Sequence, residues 1–194
     1  MYISKVEFDI TKRNMHLFMA ISDTYRMHKL ISKAFPDKKD GGCGKILHRL
    51  EDRTITLFVV SEKKPDWTKL GYAVKDAQCK EFDPVFRQGE VLKFKIRANP
   101  VIRSNGGRKR EGLFNVDEQI NWLMRQAKRC GFEIEAPRIN SSRMNKTKKG
   151  THLFVDFMGF LKIIDVEKFT KAIREGIGSA KPFGAGLLCV SKVA

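Results

Sequence analysis

Cysteines are few in this sequence and widely separated. Four occur in 194 residues, and none belongs to a CxxC pair or lies at zinc-ligand spacing from a histidine, which excludes the common zinc modules. Such scattered cysteines do not indicate a disulfide-stabilised secreted domain either. We therefore predict reduced and mostly buried thiols at Cys43, Cys79, Cys130 and Cys189.

Long apolar runs and acidic motifs are also absent. No segment approaches the ~20 apolar residues that cross a bilayer, and the opening MYISKVEFDI lacks the basic start, apolar run and cleavage site of a signal peptide. These features predict a cytoplasmic protein that does not enter membranes. No tight group of carboxylates suited to Mg²⁺ occurs, so we expect no metal site and no cofactor.

Positive charge is the strongest feature of the composition. The chain has 38 Lys and Arg residues against 22 Asp and Glu, for a net charge of +16. Such an excess is costly in self-repulsion and is best offset by phosphates, whose contacts release counterions. A membrane surface is the weaker alternative because no basic amphipathic helix has a wide aromatic face. The charge therefore indicates a nucleic acid as partner.

The predicted elements of the first half follow the ferredoxin-like order. Residues 2–10 alternate as a strand, the stretch after them has a helical period until Pro36, and KILHRL and TITLFVVS form a hairpin. A short connection around Pro65 and Trp67 leads to a strand from Val74 to Phe82. This half therefore has the order βαββ(α)β.

The second half repeats this order of elements without repeating the residues. The predicted elements are a strand EVLKFKIRANPVI, a helix VDEQINWLMRQAKRC ended by Gly131, a long basic hairpin at 132–164, a helix DVEKFTKAIREG capped by Asp165 and a strand GAGLLCVSKVA. We predict an α+β fold of two tandem ferredoxin-like, RRM-like βαββαβ domains, at residues 1–86 and 87–194.

A tyrosine and a histidine share one seam of the first predicted helix. At about 100° per residue, Tyr25 and His28 lie together at the border between an apolar and a basic arc. A histidine there can titrate near neutrality and bind a phosphate. The apolar arc contains Leu17, Ala20, Ile21, Thr24, Met27, Ile31 and Phe35, and the basic arc contains Arg26, Lys29 and Lys33.

The seam also has a structural interpretation, because a His and a Tyr at a helix edge often only pack and hydrogen-bond. That structural role is the one we favour for the other three histidines. His16 lies near a helix start, and His48 and His152 lie in predicted strands.

A glycine-rich loop, GIGSAKPFGAG at 176–186, connects the last helix and the last strand. It is not a dinucleotide fingerprint, since that motif follows a strand and opens a helix. A helix C-cap and a tight turn would explain Gly176 or Gly178, but not so many glycines or the lysine. Glycine lets backbone approach a ligand closely, so we predict contact with phosphate or RNA.

Five segments in this order, MYISKV, TYRMH, RANP, EQINWL and GIGSAKPFGAGLL, span Met1 to Leu188. Together they resemble the CRISPR-associated CasE family of type I-E systems. The resemblance implies tandem ferredoxin-like domains and binding of the stem-loop of a CRISPR repeat. It also implies cleavage at the 3′ base of the stem and retention of the product with the other subunits of a surveillance complex.

The resemblance also assigns residues. It implies catalytic roles for Tyr25 and His28, which lie three apart as in the family, and for Lys33, which matches a lysine that some members have five residues beyond the histidine. RNA contacts are expected from the first helix, Arg103 and the exposed loop at 104–112, the basic hairpin at 138–149 and the glycine loop. These candidates are Arg26, Lys29, Arg103, Arg108, Lys109, Arg110, Arg138, Arg143, Lys146, Lys148, Lys149, Gly176, Gly178, Ser179, Lys181, Gly184 and Gly186.

Cleavage without a metal can use the RNA's own 2′-hydroxyl, which attacks the adjacent phosphorus and leaves a 2′,3′-cyclic phosphate and a 5′-hydroxyl. Whether His28 then acts as acid or base stays open. One alternative is a noncatalytic RNA-hairpin-binding module of the same fold. The other is a metal-dependent nuclease, which the lack of converging carboxylates disfavours. For the basic loop at 104–112, a solvated linker remains the alternative to RNA contact.

Overall fold

A computed structural model describes residues 1–11, 14–51, 54–103, 110–147 and 150–193. The chain forms two units, each with its own sheet. One consists of Met1–Asp83 with Lys181–Gly184, and the other of Pro84–Ala180 with Ala185–Ala194. The domain limits of 1–86 and 87–194 stay predictions.

The first unit contains a four-stranded antiparallel sheet in the order β2-β3-β1-β4. Its alternating sequence puts Val6 of the central strand opposite Leu57 and Ala77 and buries it completely. Short 3₁₀ helices occur at Lys38–Asp40 and Trp67–Ala73. The strands are β1 (Tyr2–Phe8), β2 (Ile46–Glu51), β3 (Thr56–Ser61) and β4 (Val74–Glu81).

Two helices, α1 (Met15–Ser22) and α2 (Thr24–Ser32), stand where the sequence predicted one. Asp23 between them has extended backbone angles, and its carboxylate accepts hydrogen bonds from the N–H groups of Tyr25, at 2.8 Å, and Arg26, at 3.3 Å. The prediction of a single helix was wrong because the apolar stripe continues on both sides of the break. A short acidic side chain satisfies backbone donors better as a cap than inside a helix.

The second unit has the same strand order, β10-β5-β9-β8, with all neighbours antiparallel. Both sheets therefore place the first strand of the unit between the third and the fourth, which confirms the predicted tandem ferredoxin-like fold. The elements are β5 (Val91–Ala98), β6 (Val101–Arg103), β7 (Arg110–Gly112), α3 (Val116–Arg129), β8 (Phe132–Thr147), β9 (Gly150–Ile163), α4 (Val166–Glu175) and β10 (Leu188–Lys192).

The predicted strand EVLKFKIRANPVI is interrupted at Asn99 and Pro100, so that part of the prediction was wrong. β5 ends before these residues, and β6 pairs with β7 in a separate two-stranded sheet. Pro100 has no N–H to continue a ladder. Its carbonyl instead accepts a hydrogen bond from the N–H of Leu113, at 3.0 Å.

The ends of the helices in the second unit confirm the predicted caps. Asp165 accepts from the N–H of Lys168 at 3.0 Å, and Gly131 follows α3 with a φ of +77°. A Cβ at Gly131 would lie 2.5 Å from the carbonyl oxygen of Asp165. Only glycine allows the end of one helix to pass so close to the start of the next.

A buried ion pair joins β5 to β9. Arg97 and Asp156 form two hydrogen bonds of 3.1 Å, and their side chains are 7% and 8% exposed. The Ser141 hydroxyl on β8 donates to the same carboxylate at 2.8 Å. The pair therefore links three strands at the point where the pairing of β8 with β9 shifts register.

Asp156→Ala is expected to lower the free energy of unfolding by about 3–5 kcal/mol, because it leaves a guanidinium buried without its carboxylate. Chemical denaturation followed by circular dichroism measures this loss. Lys168→Ala, which removes an exposed ion pair with Asp165, is the matched control and should unfold close to wild type. If Asp156→Ala unfolded at a denaturant concentration as high as the control does, the structural role of the buried pair would be contradicted.

The cysteines are less buried than predicted. All four are partly exposed, and within the described residues none forms a disulfide. The described helices include none that is long and apolar enough to span a membrane.

Candidate active site and RNA-binding surface

Helix α2 presents Tyr25 and His28 on one half-buried seam. Met27 and Ile31, on the neighbouring side of the helix, are buried in the core of the first unit. The Asp23 cap fixes the first turn and therefore the direction in which Tyr25 leaves the backbone. The predicted seam is present, although it lies on the second helix.

Three cations surround this seam on the exposed side of α2, as the helical projection predicted. The Lys29 Nζ lies 4.8 Å from the centroid of the Tyr25 ring, within cation–π range. Arg26 lies 3.7 Å from the Asp23 carboxylate. Lys33 is the C-cap residue of α2, where a cation interacts favourably with the helix dipole.

His48 on β2 is a site residue that sequence reasoning missed. Its ring stacks on His28, with centroids 6.4 Å apart and an interplanar angle of 18°. His48 is only 2% exposed, so the partly exposed His28 ring rests on a fixed one. No sequence pattern predicts this contact, since it forms between a strand and a helix 20 residues apart in the chain. The buried side of the His28 ring therefore packs against the imidazole of His48.

The short 3₁₀ turn Lys181–Phe183 belongs to the first unit and contacts both α2 and β2. Gly184 follows it with a φ of +87°, and a Cβ at this position would lie 3.3 Å from Nε2 of His48. The backbone conformation therefore favours glycine, and a Cβ here would crowd the His48 ring. This turn brings Lys181 and Gly184 to the elements that carry His28 and His48.

The remaining glycine-loop residues lie in the second unit. Gly176 caps α4 with a φ of +73°, in agreement with the helix C-cap considered for it from the sequence. Gly178 passes the Trp122 ring so closely that a Cβ would lie 3.0 Å from it. The Ser179 hydroxyl accepts from Nδ2 of Asn99 at 3.1 Å. The N–H of Gly186 donates to the Arg97 carbonyl at 2.7 Å.

The predicted RNA-binding cations lie on several elements of the second unit. Arg103 and Arg110 face each other on β6 and β7, and Arg138 and Arg143 are exposed on β8. Lys146 belongs to the same strand. Four of the candidates fall outside the described residues, namely Arg108, Lys109, Lys148 and Lys149.

The other two histidines do not join His28. His16 is exposed on α1, and His152 on β9 stacks on Phe154 at 6.2 Å. Burial lowers the pKa of His152 below its ordinary value, which favours a neutral ring. The part of the chain that the structure describes contains no group of three His, Cys, Asp or Glu residues able to hold a metal ion.

Comparisons with known proteins place this site in context. A family model described as CRISPR associated protein matches residues 1–192. The CRISPR-associated endoribonuclease Cse3 of Thermus thermophilus is 30% identical, over 88% of this chain and 91% of the relative. The CRISPR system Cascade subunit CasE of Escherichia coli is 28% identical, over 87% of this chain and 92% of the relative.

A solved structure of Thermus thermophilus Cse3, bound to an RNA representing a pre-cleavage complex, has the same fold. It superposes with a TM-score of 0.89 at 27% identity and covers 98% of both chains. Family model, relatives and structure therefore agree along almost the full chain. The chain belongs to the CRISPR-associated protein family and is of its CasE type.

Proposed function

We propose that this protein binds the stem-loop of a CRISPR repeat and cleaves the RNA at the 3′ base of the stem, in the cytoplasm. It then keeps the mature RNA and joins other subunits in a surveillance complex. The observation that carries the proposal is the imidazole of His28, which stacks on buried His48. Tyr25 and several cations of the same helix lie next to it. The names of the relatives, an endoribonuclease and a Cascade subunit, support the same activity and assembly.

The proposed reaction needs proton transfer and charge stabilisation, but no nucleophile from the protein. The 2′-oxygen forms a bond to the adjacent phosphorus as it loses its proton. The bond from phosphorus to the 5′-oxygen breaks, and that oxygen gains a proton. The products are a 2′,3′-cyclic phosphate and a 5′-hydroxyl, with no oxidant, reductant or water consumed.

His28 is the proton-transfer group in this proposal, since histidine is the side chain best suited to proton transfer near neutral pH and this one is partly accessible from solvent. It either takes the 2′ proton or supplies the proton to the 5′-oxygen. Packing on His48 restricts the ring and so helps to hold it in a reactive position. This stacking distinguishes His28 from His16, which is exposed on α1.

Tyr25 and the neighbouring cations have complementary roles. Tyr25 lies one turn before His28 and can hold the nucleophile or a phosphate oxygen through its hydroxyl. Lys29 is anchored over the Tyr25 ring, Lys33 caps the same helix, and Lys181 lies on the 3₁₀ turn that contacts it. Their charges can offset the negative charge that develops on the phosphorane oxygens.

Affinity for the stem is expected to come mainly from phosphates and shape, because side chains cannot read the deep major groove of A-form RNA. The exposed arginines of β8, Arg138 and Arg143, lie on a long two-stranded hairpin formed with β9. Such a hairpin can follow the stem over several phosphates. Lys146, Lys148 and Lys149 continue the basic sequence beyond Arg143.

A cleavage assay separates the catalytic proposal from a noncatalytic hairpin-binding module. The wild-type protein, incubated with the labelled repeat RNA of its own genome, should give one product that ends in a 2′,3′-cyclic phosphate. Denaturing electrophoresis and mass spectrometry identify it. If the protein bound the hairpin tightly but left it uncut, the noncatalytic module would be favoured instead.

Binding of the hairpin is expected to weaken steeply with salt, because the net charge of +16 indicates many phosphate contacts. Changing Lys146, Lys148 and Lys149 together to Ala should make the slope of log K against log salt shallower. The reduction should be roughly 0.7 to 0.9 for each phosphate that the variant no longer neutralises. Fluorescence anisotropy between low and moderate salt measures the slope.

The matched control removes the same charge elsewhere, from Lys69, Lys75 and Lys80, which are exposed in the first unit. We expect a smaller change of slope in this triple variant. Equal slopes for the two triple variants would show that Lys146, Lys148 and Lys149 make no specific phosphate contacts.

A further inference from the structure

Three arginines from three different elements line one cleft of about 330 Å³ in the second unit. Arg103 lies on β6, Arg110 on β7 and Arg129 in the last turn of α3. No acidic residue is among the described residues that line this cleft. The concentration of positive charge in a concave site indicates an anionic ligand.

The two strands place like charges directly opposite each other. Arg103 and Arg110 form a cross-strand pair in the β6–β7 sheet, and such pairs of like charge are destabilising. Both side chains are exposed, and both line the cleft. A bound phosphate would convert this repulsion into two charge-assisted contacts, since the guanidinium group matches phosphate geometry.

Helix α3 supplies the opposite wall through one face. Trp122, Gln126 and Arg129 follow each other at spacings of four and three residues, so they lie along one side of the helix. Trp122 is 4% exposed and gives the cleft an apolar floor, while the half-buried Gln126 adds an amide that can both donate and accept. The apolar floor and the two-way amide suit a nucleoside attached to the phosphate better than a phosphate alone.

The glycine loop closes the cleft on a third side. Gly178 crosses the edge of the Trp122 ring so closely that a Cβ would lie 3.0 Å from it, and Ser179 lines the cleft beside it. The Ser179 oxygen accepts the hydrogen bond from buried Asn99. Its own hydrogen is therefore available to an oxygen of a ligand. The EQINWL segment thus contributes Trp122 to the cleft, and the RANP segment contributes Asn99, which holds Ser179.

We propose that this cleft holds one nucleotide of the single-stranded RNA that adjoins the hairpin. Its phosphate would lie among the three arginines, and its nucleoside between Trp122 and Gln126. A base-paired nucleotide does not fit a concave site, since its base is covered by its partner and its stacked neighbours. An unpaired nucleotide offers the base and the phosphate together. This inference rests on the proposed function and extends it to RNA outside the stem.

The test compares three RNAs that carry a 2′-deoxy nucleotide at the cut site and therefore stay intact. They are the repeat hairpin alone, the hairpin with six unpaired nucleotides on its 5′ side, and the hairpin with six on its 3′ side. Wild-type protein should bind one of the extended RNAs about five to twenty times more tightly than the hairpin alone, as measured by fluorescence anisotropy. Arg129→Ser and Gln126→Ala should remove most of this gain and leave the affinity for the bare hairpin unchanged.

Arg125→Ser is the matched control, because Arg125 is exposed on the same helix and does not line the cleft. It should keep the full gain from the extension, and melting temperatures show that all variants fold. The proposal is overturned if neither extension tightens binding, or if Arg125→Ser loses as much of the gain as Arg129→Ser.

Two further outcomes identify other causes. If Arg129→Ser binds every RNA as wild type does but no longer purifies with the surveillance complex, the cleft holds a protein partner and the RNA proposal is wrong. A different result would contradict the proposed function itself. In that case the wild-type protein would neither bind nor cut an all-ribose hairpin without extensions.

Discussion

His28→Ala is expected to slow cleavage of the repeat hairpin by ~10²- to 10⁴-fold while leaving hairpin affinity nearly unchanged. The rate loss corresponds to about 3–5 kcal/mol of transition-state stabilisation. His28 is half-buried and stacked on His48, so the variant removes the proton-transfer group without opening the centre of the core. Affinity should persist because it depends on many phosphate contacts.

Single-turnover rates, hairpin affinity and melting temperature, measured on one preparation, test this expectation. His16→Ala is the matched control, since His16 is an exposed histidine on the preceding helix. It should cut at the wild-type rate. A purely structural role for His28 predicts the opposite pattern, with a lower melting temperature and normal cutting by the protein that stays folded. A stable His28→Ala variant with wild-type cleavage would remove this residue from the mechanism.

A 2′-deoxy nucleotide just 5′ of the cut is expected to stop cleavage completely, because it removes the nucleophile itself. The deoxy hairpin should still bind, since one hydroxyl contributes little to an interface dominated by phosphates. Cleavage of the all-ribose hairpin should continue in EDTA, as the absence of a tight carboxylate motif in the sequence predicts. Denaturing electrophoresis measures both rates.

The position of the deoxy substitution supplies the control. A deoxy nucleotide placed one position further from the cut should leave the rate close to that of the all-ribose RNA. Normal cleavage of the RNA that is deoxy at the cut would rule out attack by the 2′-hydroxyl. Loss of cleavage in EDTA, restored by added Mg²⁺, would instead favour the metal-dependent alternative.

Much of the fold was predictable because its signals are local. Alternating residues predicted β1, β3 and β4, and the caps Gly131 and Asp165 predicted the end of α3 and the start of α4. The failures at Asp23 and at Asn99–Pro100 share one feature. One or two residues end the element, Asp23 as a helix cap and Pro100 through its missing N–H, and neither changes the periodicity over a longer window.

The site was predictable in part. Tyr25 and His28 share a seam in the sequence and in the structure, because a helix brings residues three apart together. His48 could not be predicted, since its neighbour lies on another element. The glycine loop was predicted as one motif, but the structure assigns Lys181–Gly184 to the first unit and the rest to the second.

The sequence by itself determined the class of partner, the order of elements and the Tyr25–His28 seam, because charge, periodicity and helical spacing depend on composition and near neighbours. Only the tertiary structure decided that His28 rests on His48 and that Arg103, Arg110 and Arg129 line one cleft. These groupings depend on the pairing of strands and the packing of helices on sheets. Such contacts join residues distant in the chain, and no local pattern records them.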